Sequence, residues 1–180
     1  MKKLALTFIL FSLVLVGCTT LPPIQTTSHS QEVINDINKF VPSKNSGRVY
    51  FLNGNVTGPA YSGDVIHSFP SALMIDGIIV GKKNKLDVMV LDVKPGKYDV
   101  MWNHAYAEDT TKTKPIIINI VKGDIVILRA NYNLGGGGIG LISALLASPS
   151  YELVYTRDIS GINGLNFVKA SSCPDTICDN

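Results

Sequence analysis

Short β-favouring runs, cut at close intervals by glycine and proline, constrain this chain more than any other feature. Between Arg48 and Tyr132 no apolar repeat of helical period occurs. Arg48 to Leu52 is rich in Val, Tyr and Phe and reads as a strand. Asn53 to Ser71 carries Gly54, Gly58, Pro59, Gly63 and Pro70 and reads as a long loop or irregular hairpin. Ala72 to Ile75 and Ile78 to Val80 flank Asp76-Gly77, a two-residue hairpin signal. Leu86 to Val93 is apolar on both faces, as a central strand would be. Lys94-Pro95-Gly96 puts proline and glycine where a type II turn needs them. Lys97 to Asn103 then alternates, with Tyr98, Val100 and Trp102 on one face. Ala105 to Thr113 is a polar loop. Pro115 to Val121 and Asp124 to Tyr132 are strands joined through Lys122-Gly123, and Tyr151 to Thr156 is the last clear strand. The expected fold is mainly β: a single antiparallel β-sandwich of about seven to eight short strands, preceded by a short helix. Ile116-Ile117-Ile118-Asn119-Ile120-Val121 has strong β-propensity and little charge, so it belongs inside a sheet rather than at an edge.

The N-terminus has a different character. Lys2 and Lys3 precede an apolar run from Leu4 to Val16, then Gly17 and Cys18. That order of basic, apolar and small residues is an export signal rather than a fold element. The run is too short to span a bilayer, which takes about 20 helical residues. Leu15-Val16-Gly17-Cys18 resembles a bacterial lipoprotein lipobox. The resemblance implies cleavage between Gly17 and Cys18, a diacylglyceryl group on the Cys18 sulfur and an acylated new amino terminus. Two or more acyl chains give stable anchoring where one does not. Thr19 in place of aspartate implies the outer membrane of a Gram-negative host. In a Gram-positive host the same signal would mean the outer face of the plasma membrane.

Residues 1–17 are therefore read as signal. The full chain has 16 Lys and Arg against 14 Asp and Glu. Loss of Lys2 and Lys3 cancels the formal excess, and with it any whole-chain case for nucleic-acid binding. Residues 18–30 are Thr-, Pro- and Ser-rich and form a flexible tether, roughly 35 Å long at about 3.1 Å per extended residue. In residues 31–42, Val33, Ile34, Ile37 and Val41 share a helical face, with Ser30 as cap and Pro42 as stop. Packing on its own domain is the first reading of this amphipathic helix, and contact with membrane or a partner is the second. The sandwich domain is placed at 48–156 and a C-terminal tail at 157–180.

With Cys18 assigned to lipid, Cys173 and Cys178 remain. Outside the cytoplasm a disulfide is the natural state for such a pair, and Pro174-Asp175 favours the turn it needs. Free thiols, or a metal or redox pair, are the alternatives, although neither a CxxC spacing nor a histidine partner is present.

Ala72-Leu73-Met74-Ile75-Asp76-Gly77-Ile78-Ile79-Val80-Gly81 followed by Val93-Lys94-Pro95-Gly96-Lys97-Tyr98-Asp99-Val100 resembles a recurring bacterial envelope module. It is similar to PEGA-type domains and to the uncharacterised lipoprotein family known as domain of unknown function 2846. Lys122-Gly123-Asp124 and the strand to Tyr132 fit the same pattern, and the likeness covers roughly Arg48 to Thr156. It implies a small β-sandwich on the cell envelope and carries no catalytic residues.

Gly135-Gly136-Gly137-Gly138-Ile139-Gly140 contains a G-x-G-x-x-G match. A phosphate-binding loop also needs a βαβ unit and a helix N-terminus, and neither is signalled. The run reads instead as a connection into an apolar turn. Gly135, Gly136, Gly137, Gly138, Ile139, Leu141 and Ile142 form a candidate partner or ligand loop, extended by Leu145 and Leu146. His29, His67 and His104 lack metal-ligand spacing, though His104 with Asp109 could line a site. No Gly-x-Ser-x-Gly elbow exists, Ser62-Gly63-Asp64 is a turn, and the Asn55-Val56-Thr57 sequon is a chance match. No cofactor and no metal is expected. The functional expectation is a non-enzymatic, membrane-anchored lipoprotein offering its sandwich to another envelope protein or polymer. The alternatives are a small-ligand or lipid-binding lipoprotein and, behind it, an envelope hydrolase.

Overall fold

A computed structural model describes residues 35, 39–57, 70–84, 87–104, 113–133, 150–156, 166–170 and 172–179. Nine strands run in chain order: β1 (Gly47–Thr57), β2 (Ser71–Ile75), β3 (Ile78–Lys83), β4 (Asp87–Val93), β5 (Gly96–His104), β6 (Ile116–Ile120), β7 (Ile125–Asn133), β8 (Ser150–Thr156) and β9 (Asn166–Lys169). They make a five-stranded sheet, β8-β7-β1-β4-β9, and a four-stranded sheet, β3-β2-β5-β6. The mainly β, two-sheet architecture is the expected one. Asp76 and Gly77 both hold positive φ, 49° and 78°, as the hairpin between β2 and β3 requires. Gly123, at φ 85°, supplies the left-handed residue of the Lys122-Gly123 turn, closed by Asp124 N–H donating to the Val121 carbonyl at 3.1 Å.

The core lies between the sheets. Val49, Phe51, Met89, Leu91, Val126, Leu128 and Leu153 from the larger sheet meet Leu73, Ile75, Val80, Tyr98, Val100, Trp102, Ile118 and Ile120 from the smaller. Trp102 is fully buried, and its indole N–H donates to the Glu152 carbonyl on β8 at 3.2 Å. Burial of such a ring removes well over 100 Å² from water, at about 25 cal/mol per Å². A second cluster, Tyr50, Leu52, Val88, Val90 and Ile127, covers the outer face of the larger sheet with Phe40, Ile125 and Phe167. The Phe40 ring sits 5.0 Å from Tyr50 and 6.2 Å from Phe167.

Several expectations need correction. The sandwich is not purely antiparallel: β1 pairs with β7 in parallel, Arg48 opposite Ile125, and β4 pairs with β9 in parallel. Parallel partners cannot be joined by a tight turn, so no local signal announces them. The strand count exceeds the expectation because β9 lies in the stretch read as tail, carrying the sheet past Thr156. β1 continues beyond Leu52 to Thr57, into the stretch read as loop. A bulge between Asn53 and Val56 permits this, with Asn55 N–H donating to the Asn131 side chain at 3.0 Å.

Gly96 is not at positive φ, so Lys94-Pro95-Gly96 is not a type II turn. Glycine is needed there for space, since a Cβ would lie 2.9 Å from the Tyr98 hydroxyl, which donates to the Lys94 carbonyl. Asn35 is helical, but Lys39 and Phe40 form a turn. Val41 is therefore 58% exposed rather than packed, and Phe40, at φ 52°, takes its place against the sheet.

The Cys173–Cys178 disulfide is present, with Cα atoms 5.8 Å apart. It does more than close a tail. Cys173, Ile177 and Cys178 belong to the core, Cys178 bridges Val93, and Lys94 N–H donates to the Ile177 carbonyl at 2.9 Å. So small a loop contributes about 2 kcal/mol through chain entropy, and core burial adds to it.

Candidate functional site

The two ends of the sandwich differ. At one end the turns at Lys94-Pro95 and Lys122-Gly123 and the disulfide segment tie the sheets together. Gly123 N–H donates to the Ser46 carbonyl, Arg48 N–H to the Asp124 carbonyl and Asp179 N–H to the Asp92 carbonyl. At the other end the side chains between the sheets are polar. Asn53 continues the inward row of Phe51 on β1, Ser71 that of Leu73 on β2, and Asp87 that of Met89 on β4. Lys83 stands directly opposite Ser71.

Lys83 is 0% exposed. Its Nζ lies 2.6 Å from Asn53 Oδ1 and 3.2 Å from the Asn84 carbonyl, and 5.5 Å from the Phe51 ring centre. Ser71 Oγ donates to the same Asn53 Oδ1 at 3.1 Å. Asn166 Nδ2 donates to Asp87 Oδ1 at 2.6 Å. Among the described residues, the other Asp87 oxygen, also buried, has no hydrogen-bond partner. Burial lowers the Lys83 pKa from its ordinary 10.5 to about 7, against an opposing pull from the Asp87 charge. A group poised near neutrality inside a polar cluster is the kind of feature that marks functional sites. Here it is closed off from solvent, so it can exchange a proton but not reach a substrate.

This arrangement escaped the sequence reading, in which the strand ends at Val80, whereas β3 runs on to Lys83. Its cause is a bulge between Leu73 and Met74. Without the extra residue Lys82 would face Ser71 and Lys83 would point outward, because a one-residue slip exchanges the two faces.

The second feature is β6. It was expected inside a sheet but forms the edge of the smaller one. Ile118 and Ile120 point into the core, while Ile117 is 63% exposed. Asp76 N–H donates to the Asp99 carbonyl at 2.8 Å, so the Asp99 backbone faces β2. The backbones of Tyr98 and Val100 then face β6, opposite Ile118 and Ile116. The antiparallel alternation leaves the N–H and C=O of Ile117 and Asn119 aimed off the edge. Among the described residues nothing pairs with them. Exposed Lys114, Pro115 and Lys122 bracket the strand, as protected edges often are.

The sequence-derived sites fall elsewhere. Gly17 and Cys18, the loop of Gly135, Gly136, Gly137, Gly138, Ile139, Leu141 and Ile142, and His29, His67 and Asp109 lie outside the described residues. His104 ends β5 opposite Ser71. Among the described residues no cluster of three His, Cys, Asp or Glu could hold a metal ion, and no helix is long and apolar enough to cross a membrane. Comparison with protein-family models, curated proteins and solved structures finds no match to this chain.

Proposed function

We propose that this chain is a lipid-anchored protein of the bacterial envelope whose sandwich acts without catalysis, by binding another envelope protein or polymer. The resemblance of Leu15-Val16-Gly17-Cys18 to a lipobox supplies the anchor in this reading, and residues 18–30 supply the tether. The observation that carries the binding role is the open edge of β6. Outward backbone groups at Ile117 and Asn119 offer hydrogen bonds to an extended segment, and exposed Ile117 offers it an apolar contact.

Two experiments test the two halves. Cys18→Ala expressed in a Gram-negative host should leave the membrane fraction and fail to incorporate labelled palmitate. A variant that stays acylated and membrane-bound would refute the anchor. A photoreactive residue at Ile117 should crosslink in intact cells to a discrete species, and a second change, Asn119→Pro, should abolish that product. Proline removes only the outward N–H and leaves the bonds to β5. An Ile117 crosslink pattern identical with and without Asn119→Pro would refute edge pairing.

A further inference from the structure

The buried polar layer around Lys83 has the parts of a switch. Lys83 Nζ meets two acceptors, Asn53 Oδ1 on β1 and the Asn84 carbonyl. A neutral amine has two N–H groups and matches them fully. An ammonium has three donors, so its third would lack a partner in this arrangement. The one buried side-chain atom without a hydrogen bond among the described residues is Asp87 Oδ2, an acceptor on β4 whose charge Lys83 already feels. A donor that exists only on protonation and an acceptor that is vacant until then share one layer.

We propose that Lys83 is a proton-operated latch between the two sheets. In its neutral form it is bonded to Asn53, joining β3 to β1. In its charged form the added N–H donates to the Asp87 carboxylate as well, tying β3 to β4. The atoms balance simply: one proton from solvent adds to the Nζ lone pair, and the N–H so formed donates to Asp87 Oδ2, the bonds to Asn53 and Asn84 being kept. The position of the pKa near 7 would place this exchange in the physiological range.

Among the described residues, the charges around the latch are few. β1 contributes Phe51 and Asn53, β2 contributes Ser71, and β9 contributes Asn166, all neutral. β4 contributes Asp87. On β3 itself Lys82 is exposed. His104 occupies the same rung across β2, since Ser71 pairs with both His104 and Lys83. A histidine's ordinary pKa also lies near neutrality, so its contribution is separated by substitution.

Nuclear magnetic resonance on the full chain, held in detergent micelles and titrated between about pH 5 and 10, is the test. The Lys83 side-chain signals should titrate near neutrality, and the Asn53 side-chain amide should shift with the same midpoint. Asp87→Asn should lower that midpoint by about one pH unit or more, because the charged form loses its partner. Lys83→Met should remove the Asn53 shift, and His104→Gln should leave it unchanged. The proposal is overturned if Lys83 in the wild-type protein titrates near its ordinary value. It is equally overturned if the Asn53 amide ignores the Lys83 titration, or if His104→Gln abolishes the shift. The wild-type titration decides the matter even where a variant fails to fold.

Discussion

Asp92→Ala should destabilise the sandwich by about 3–5 kcal/mol, the cost of stranding one member of a buried ion pair. Arg48 and Asp92 stand directly opposite each other on β1 and β4. Nε donates to Oδ1 and Nη2 to Oδ2, each at 2.7 Å, a two-pronged contact that fixes the guanidinium in its plane. The two side chains are only 3% and 11% exposed. Arginine keeps its charge when its partner is removed, so the loss cannot be relieved by deprotonation. Asp92→Asn should cost less, because a carbonyl oxygen still accepts one of the two bonds. Replacing both residues, as in Arg48→Met with Asp92→Leu, should recover most of the loss, since buried pairs exchanged for apolar residues are often near neutral. Urea denaturation of the two single variants and the double variant measures this directly. Equal losses in the single and double variants would show that the cost lies in β1–β4 packing, not in a stranded charge.

How much of this was legible beforehand depends on distance along the chain. Asp76-Gly77 and Lys122-Gly123 announced their turns, because positive φ restricts which residues can stand there. Tyr98, Val100 and Trp102 announced an inward face by alternation, and all three are in the core. What escaped depends on partners far away. The parallel pairing of Arg48 with Ile125 has no composition of its own. β9 is four residues long and, among the described residues, has β4 as its one ladder partner. The run of isoleucines in β6 read as central because central and edge strands share propensities. Lys114, Pro115 and Lys122 were the visible hint that it is an edge. The least legible feature is the most consequential. Whether Lys82 or Lys83 is buried turns on one bulged residue, and no periodicity within β3 reveals it.

That buried lysine sets the second large effect, a stability that climbs with pH across neutrality. Lys83 binds its proton near pH 7 in the folded chain and near 10.5 when unfolded. Between these values the unfolded chain holds more protons, so unfolding is disfavoured further as pH rises. Below about pH 7 both states are charged and the full cost of burying the ammonium is present. Over the whole window the linkage amounts to about 5 kcal/mol at about 1.4 kcal/mol per pH unit. From pH 6 to pH 9 it should amount to about 2–3 kcal/mol. Tyr98 works in the opposite sense at higher pH. Burial, aided by the Asp76 charge, raises its pKa, so the unfolded chain loses that proton first and stability falls there. The range up to pH 9 is therefore the clean one. Lys83→Met has no proton to exchange and should be flatter than wild type by the full 2–3 kcal/mol, gaining most at the acid end. Its gain is reduced by the loss of the bonds that the neutral amine makes to Asn53 and Asn84, which leaves the slope as the diagnostic. Denaturation curves at pH 6 and 9 for both proteins supply the four free energies needed. Parallel pH profiles would mean that Lys83 does not change protonation in the folded chain, and the interior layer would then be a fixed structural cap.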